Sequence, residues 1–283
     1  MLWVILLQIY SAAATNSIHY VENYNASQPM KRVYLKDRAS LILRNKPNEE
    51  QLFTEKLVAG LPDPLIKYLE VCGYINTPVP YNADVTWSES FIKMSPGREW
   101  GQLNTVQFNS VDPVGRVAYM KFLKMPVAGR DLYHDGYGEM KGKLLGLFRV
   151  IFDNSRETAQ SVLLTTFCEF TLVPGYLLSD KVRWVTVDNK SVRGTLSDSG
   201  ISVMAQFNFN DEGFLTGVET ADRYYTEGKN NYRKVKFSAI IESYKRQGQI
   251  MIPERMKAVW HLPEGDYEYF RGTVDRVVYN VSC

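Results

Sequence analysis

The chain has 283 residues, 45% hydrophobic and 23% charged, with 33 basic against 31 acidic side chains. That balance suits a globular protein with a sizeable core and excludes a disordered chain or a helical integral membrane protein. The charges are interspersed with no Lys/Arg stripe, so nucleic acid is not an expected partner. Cys72, Cys168 and Cys283 are too few and too scattered for a disulfide framework, and the three histidines are far apart, so no metal and no cofactor are expected.

The N-terminal pattern predicts a targeting signal. Met1–Tyr10 is apolar apart from Gln8 and leads into Ser11-Ala12-Ala13-Ala14, an A-x-A cleavage pattern. Residues 1–14 are therefore read as a signal peptide or membrane anchor, although no Lys or Arg precedes the apolar run. This reading places the protein in the cell envelope, exported or anchored, and makes the N-terminus its point of membrane association. Residues 15–46 are polar and mixed apart from Leu41–Leu43, and predict an exposed lead-in with at most one strand. Residues 47–283 are read as one domain.

Within it, Asn48 is positioned to cap a helix containing Leu52, Phe53, Leu57 and Val58, ending at Gly60. Pro62 and Pro64 open a second helix carrying Leu65, Ile66, Leu69 and Cys72. Strands are predicted at 80–94, 99–111, 116–124, 127–133 and 139–152, punctuated by Pro and Gly turns. A helix at 155–170 follows, with Asn154 and Glu157 at capping-box spacing and Ala159, Val162, Leu163, Thr166, Phe167 and Phe170 on one face. Further strands are predicted at 182–188, 191–197, 201–210, 215–225, 235–244, 256–262 and 267–281. Several alternate strictly: Ile201, Val203, Ala205, Phe207 and Phe209 share one face, as do Met256, Ala258, Trp260 and Leu262. The predicted fold is α+β, mainly β: a large curved antiparallel meander, a half-barrel, with helices against its concave face.

No sequence motif announces a reaction. Gly136-Tyr137-Gly138 with Gly142 and Gly146 lacks the Lys-Ser/Thr ending of a phosphate loop and predicts a sharp bend. Glu169 falls at the margin of the apolar helix face. It reads either as a solvent-paired carboxylate or as a functional group partnering an interior arginine such as Arg223. Arg223 reads as a ligand anchor at the sheet mouth or as a surface residue. Trp184 and Trp260 read as core or as cavity lining.

The run Phe53…Leu61-Pro62…Tyr68-Leu69…Gly73 resembles the opening of an uncharacterised bacterial family of unknown function. Gly136-Tyr137-Gly138-Glu139-Met140 with Leu144–Leu147, Glu169 with Pro174, Trp184, Phe207–Gly213, Arg223, and Gly248…Ile252-Pro253 with Val259-Trp260 are similar to the rest of it. The resemblance covers about residues 50–281. It implies no catalytic role, and it implies an N-terminal membrane segment in many members. The inferred architecture also resembles the LolA/LolB-like lipoprotein-carrier half-barrels, which implies a site for acyl chains.

The function expected is a non-enzymatic, envelope-associated protein that binds an apolar ligand, a lipid or acyl chain, between sheet and helix. Trp184, Trp260, Phe207, Leu163 and Phe167 would line the site, and Glu169 and Arg223 would orient a polar head, with Tyr137 completing the candidate set. Two alternatives stand beside it. One is a structural or assembly protein with a filled core; the other is an enzyme using Glu169 with Arg223 or Tyr137 in acid–base chemistry.

Overall fold

The computed structural model describes residues 29–45, 50–228 and 231–282. The expected export segment at 1–14, the proposed Asn48 cap and Cys283 lie outside them. The described chain opens with helix α1 (Pro29–Arg44). Over 29–45 this corrects the exposed lead-in expected at 15–46; residues 15–28 and 46 lie outside the described residues. Met30, Tyr34, Leu41 and Ile42 fall on one helical face and are buried, and Leu41–Leu43 is helical instead of extended. The helical pair at 47–73 is shorter than expected. Helix α2 (Glu55–Val58) begins at Thr54, whose hydroxyl accepts from the Leu57 amide, and Leu52 forms a bridge to Pro78 instead of a helical turn. Helix α3 (Asp63–Val71) carries the predicted Pro near its start.

Six strands follow: β1 (Asn82–Ile92), β2 (Gly101–Ser110), β3 (Gly115–Phe122), β4 (Val127–His134), β5 (Tyr137–Leu144) and β6 (Phe148–Asp153). The single strand expected at 139–152 is thus a hairpin. Leu145 and Gly146 both take positive φ, 55° and 71°, and reverse the chain where no Asn-Gly or Asp-Gly marks a turn. Helix α4 (Arg156–Cys168) comes next, capped by the Ser155 hydroxyl on the Thr158 amide, one residue later than the predicted Asn154. Two 3-10 turns, Phe170–Leu172 and Pro174–Leu178, lead into β7 (Val182–Asp188), β8 (Ser191–Asp198), β9 (Ile201–Phe209) and β10 (Leu215–Thr220). A small hairpin of β11 (Tyr224–Thr226) and β12 (Tyr232–Lys234) precedes β13 (Phe237–Gln247), β14 (Ile250–Leu262) and β15 (Gly265–Tyr279). The strand expected at 215–225 is therefore broken before Arg223, which sits in a connection and not in a strand.

Thirteen strands form one antiparallel sheet in the order β6-β5-β4-β3-β2-β1-β15-β14-β13-β10-β9-β8-β7, open at both edges. The sheet is the predicted meander with one departure: β1 pairs with β15, so two meanders join at mid-sheet through the first and last strands. β6 and β7 are then the outer edges, and the segment linking them, α4 with its 3-10 turns, crosses the concave face. Strand alternation divides the burden between faces. Val117 and Tyr119 pack with Phe108, Leu132 and α1 on one side, while Ala118, Met120 and Phe122 point to the other. The main core lies on that second, concave side, where α2, α3 and α4 meet the sheet. Gly138 lets α4 approach β5 closely, because a Cβ there would lie 2.3 Å from the Ala159 Cα of α4. Among the described residues no helix is long and apolar enough to cross a membrane.

Candidate functional site: a half-filled concavity

The concave face is solid at one end and hollow at the other. At the β7–β9 end, Trp184 and Phe207 touch each other and both Phe167 and Phe170, with ring centroids 5.1–5.9 Å apart. Leu163 is fully buried in the same core. Gly194 sits opposite Trp184 in the β7–β8 register and leaves room for the Trp184 and Phe167 rings. Four expected lining residues, Trp184, Phe207, Leu163 and Phe167, are therefore packed against one another. They do not border the hollow.

The hollow lies beyond the C-terminus of α4, over β1–β6 and β13–β15, with a volume of about 190 Å³. Most of its wall is apolar, with Trp87, Met120, Ile151, Met256 and Phe270 among the side chains facing it. Its polar wall is a built network. Both Glu169 oxygens are held by Arg116, with Nε donating at 2.9 Å and Nη2 at 3.1 Å, and Gln107 Nε2 donates at 2.9 Å. Trp87 Nε1 donates to Gln107 Oε1 at 3.2 Å and fixes that amide's orientation. Asp131 faces the other side of the Arg116 guanidinium at 3.8 Å. Burial pushes the Asp131 carboxyl above its ordinary range, against the pull of Arg116, Arg223 and Arg130. Burial likewise pushes the Cys168 thiol up to about 12, so this wall residue is an inert apolar contact and not a nucleophile.

The partner of Glu169 is thus Arg116, contributed by β3, and not Arg223 or bulk solvent. The pair joins residues 53 positions apart. No local pattern announces it; the nearest signal is a charged residue on the inward face of an otherwise apolar strand. Tyr137 is exposed and donates to Glu139 at 2.9 Å, on the far side of the sheet from Glu169.

Arg223 has a different setting. Helix α4 pins its loop: Gln160 Nε2 donates to the Asp222 carbonyl at 2.9 Å, and the Ser161 hydroxyl accepts from the Tyr224 amide at 3.2 Å. The guanidinium is laid over the rings of Phe237, Trp260 and Tyr269, with centroids at 4.0, 4.9 and 5.4 Å. Its Nε and Nη1 are buried and have no hydrogen-bond partner among the described residues, and the side chain borders the hollow. Trp260 supports Arg223 from behind and does not itself line the hollow. Of the expected site residues, the structure brings Glu169 and Arg223 to one cavity and backs Arg223 with Trp260. Among the described residues no cluster of His, Cys, Asp and Glu is placed to hold a metal.

The sequence matches the model of the family of unknown function DUF6544 over residues 51–272. The chain belongs to that family. The matched span runs from α2 into β15 and so takes in the whole cavity wall. No curated protein matches the sequence. Among solved structures the chain is similar to a DUF1329 family protein from Desulfovibrio piger, at 11% identity and a TM-score of 0.40, covering 78% of this chain and 92% of that one. It is also similar to a LolA superfamily protein from Nitrosomonas europaea, at 10% identity and a TM-score of 0.41, covering 77% and 94%. The resemblance to an uncharacterised family expected from the sequence holds over nearly the whole span expected for it.

Proposed function

We propose that this protein is a non-enzymatic carrier that holds an apolar ligand, a lipid or acyl chain, in the hollow between sheet and helix, with the ligand's polar head on Arg223. One observation carries the reading. A guanidinium with two buried, unpartnered N–H groups borders a largely apolar cavity, outside the closed Arg116–Glu169 pair, and such donors are costly unless a ligand supplies acceptors. The volume of about 190 Å³ exceeds the roughly 150 Å³ of an apolar cavity that accepts benzene, which suits one chain segment better than a whole diacyl lipid. Glu169 is not the head-group ligand, because Arg116 already occupies both of its oxygens; its role is to hold the polar wall in shape. The same bidentate bond removes the motive for an acid–base role. An envelope location is part of the proposal and rests on the apolar run Met1–Tyr10 and the Ala12–Ala14 pattern.

Native mass spectrometry of the purified protein, with a solvent extract of the same sample analysed for lipids, tests this. A stoichiometric adduct is expected in the wild type. It should be lost in Ala118→Phe, which fills the hollow from β3, while that variant keeps its circular dichroism. A bare wild-type mass across preparations and after lipid addition would sink the proposal and leave the cavity as a packing defect.

A further inference from the structure

The turns at one end of the sheet form a second feature, independent of what the hollow contains. Register places them together: Ile92 pairs with Gly101, Leu103 with Phe122, Val127 with Leu144, and Leu144 with Phe148. The β1–β2, β3–β4 and β5–β6 turns therefore lie side by side, and the Leu145 amide donates to the Pro126 carbonyl at 2.7 Å across two of them. Their apolar side chains point outward. Leu147 is 73% exposed, Phe148 63% and Leu145 61%, and Met94, Leu123 and Met125 are exposed beside them.

A scattered exposed Leu needs no explanation, but a contiguous patch of this kind marks an interaction surface. Its charge is one-sided. From Arg116 to Arg130 and from Met140 to Phe152 there is no Asp or Glu, while Lys121, Lys124, Lys141, Lys143 and Arg149 are interleaved with the apolar positions. Among the described residues none of these five cations forms an ion pair. Aromatic and aliphatic tips ringed by uncompensated cations match the acyl boundary and phosphates of an anionic bilayer.

Two further placements agree. Met94, Phe122, Val127 and Ile151, from these same strand ends, also border the hollow, so the patch rims its mouth. Pro29 lies against Gly146 in the β5–β6 turn, so α1 begins at this face.

We infer that the β3–β4 and β5–β6 turns are a membrane-docking surface that seats the mouth of the concavity on an anionic lipid bilayer. The test is flotation of the full chain with vesicles of phosphatidylcholine alone or mixed with phosphatidylglycerol, at low and high salt, needing no bound ligand. The wild type should float with the mixed vesicles and release with salt. The paired variants Leu147→Asp/Phe148→Asp and Lys124→Glu/Arg149→Glu should each lower the bound fraction at least roughly tenfold with unchanged thermal midpoints. All four positions are exposed, and the two pairs probe the apolar and electrostatic parts separately. Variants that float like the wild type would overturn the inference and assign binding to residues 1–28. So would a wild type that binds neither vesicle, or a dimer that the variants dissociate without any vesicle binding, which would make this face a contact between copies.

Discussion

Of the arginines bordering the hollow, Arg116 and Arg223 have surroundings that predict opposite behaviour. Arg116 is buried and closes a bidentate pair with Glu169, so removing it leaves a half-buried carboxylate with amide donors alone. Arg116→Met is expected to lose about 3 kcal/mol in urea denaturation, the scale for breaking a buried pair from one side. Arg223 gives up ring contacts and its attraction to Asp131 on substitution, and takes its unpartnered donors with it. Arg223→Met should therefore stay within about 1 kcal/mol of wild type while losing ligand retention. Equal destabilisation of the two variants would show that Arg223 is structural. Asp131 supplies a pH-dependent counterpart. Its folded carboxyl titrates above the unfolded one, so between those values the native state holds a proton that the unfolded state has released, and stability falls as pH rises. The contribution is intact below the ordinary Asp range and lost above the raised value. Asp131→Asn should accordingly match wild type near pH 3 and exceed it in urea midpoint at pH 7; a lower midpoint at pH 7 would mean that attraction to Arg116 outweighs burial.

Elements were legible where one period ran unbroken. β9 alternates over nine residues and α4 keeps its apolar positions at steps of three and four; both lie within a few residues of their expected bounds. α1 was missed because Lys31, Arg32, Lys36, Asp37 and Arg38 separate its buried positions, and the helix is stabilised by the sheet beneath it instead of by its own pattern. The β5–β6 hairpin was missed because the reversal falls on Leu145-Gly146, where Leu takes a positive φ that no turn signature announces. Gly138 lies in a run that predicts a bend, yet it is a contact between elements. Gly138→Ala should displace α4 from β5 and lower stability by roughly 1–3 kcal/mol, because the obstructing atoms belong to the Ala159 backbone and cannot rotate away. Gly142→Ala on the same strand is the control. There the added Cβ meets only the Ile151 side chain at 3.2 Å, so its thermal midpoint should fall less; equal losses would mean that a β5 glycine matters for backbone reasons alone.

At the scale of the molecule, the site could be read only in part. Glu169 at the margin of an apolar helix face and Arg223 as an anchor at the sheet mouth are legible as candidates, but which half of the concavity is hollow depends on a strand order that periodicity does not encode. That order rests on one long-range pairing. Ala83 lies opposite Tyr279, and Tyr74 and Tyr279 join their hydroxyls at 2.9 Å across 205 residues, so neither meander is complete until the last strand arrives. β15 is bonded on both sides, to β1 and β14, and its Phe270 also forms cavity wall against Trp87, with rings 5.5 Å apart. A chain ending at Pro263 would open two strand edges in mid-sheet and expose the hollow to water, a combination that invites aggregation. It should lack a cooperative thermal transition, and a peptide of residues 264–283 should restore one by adding the strand back between β1 and β14. A truncated chain that still melted cooperatively would show that the two meanders fold as separate units, and the hollow that straddles their seam would then be a flexible gap instead of a formed site.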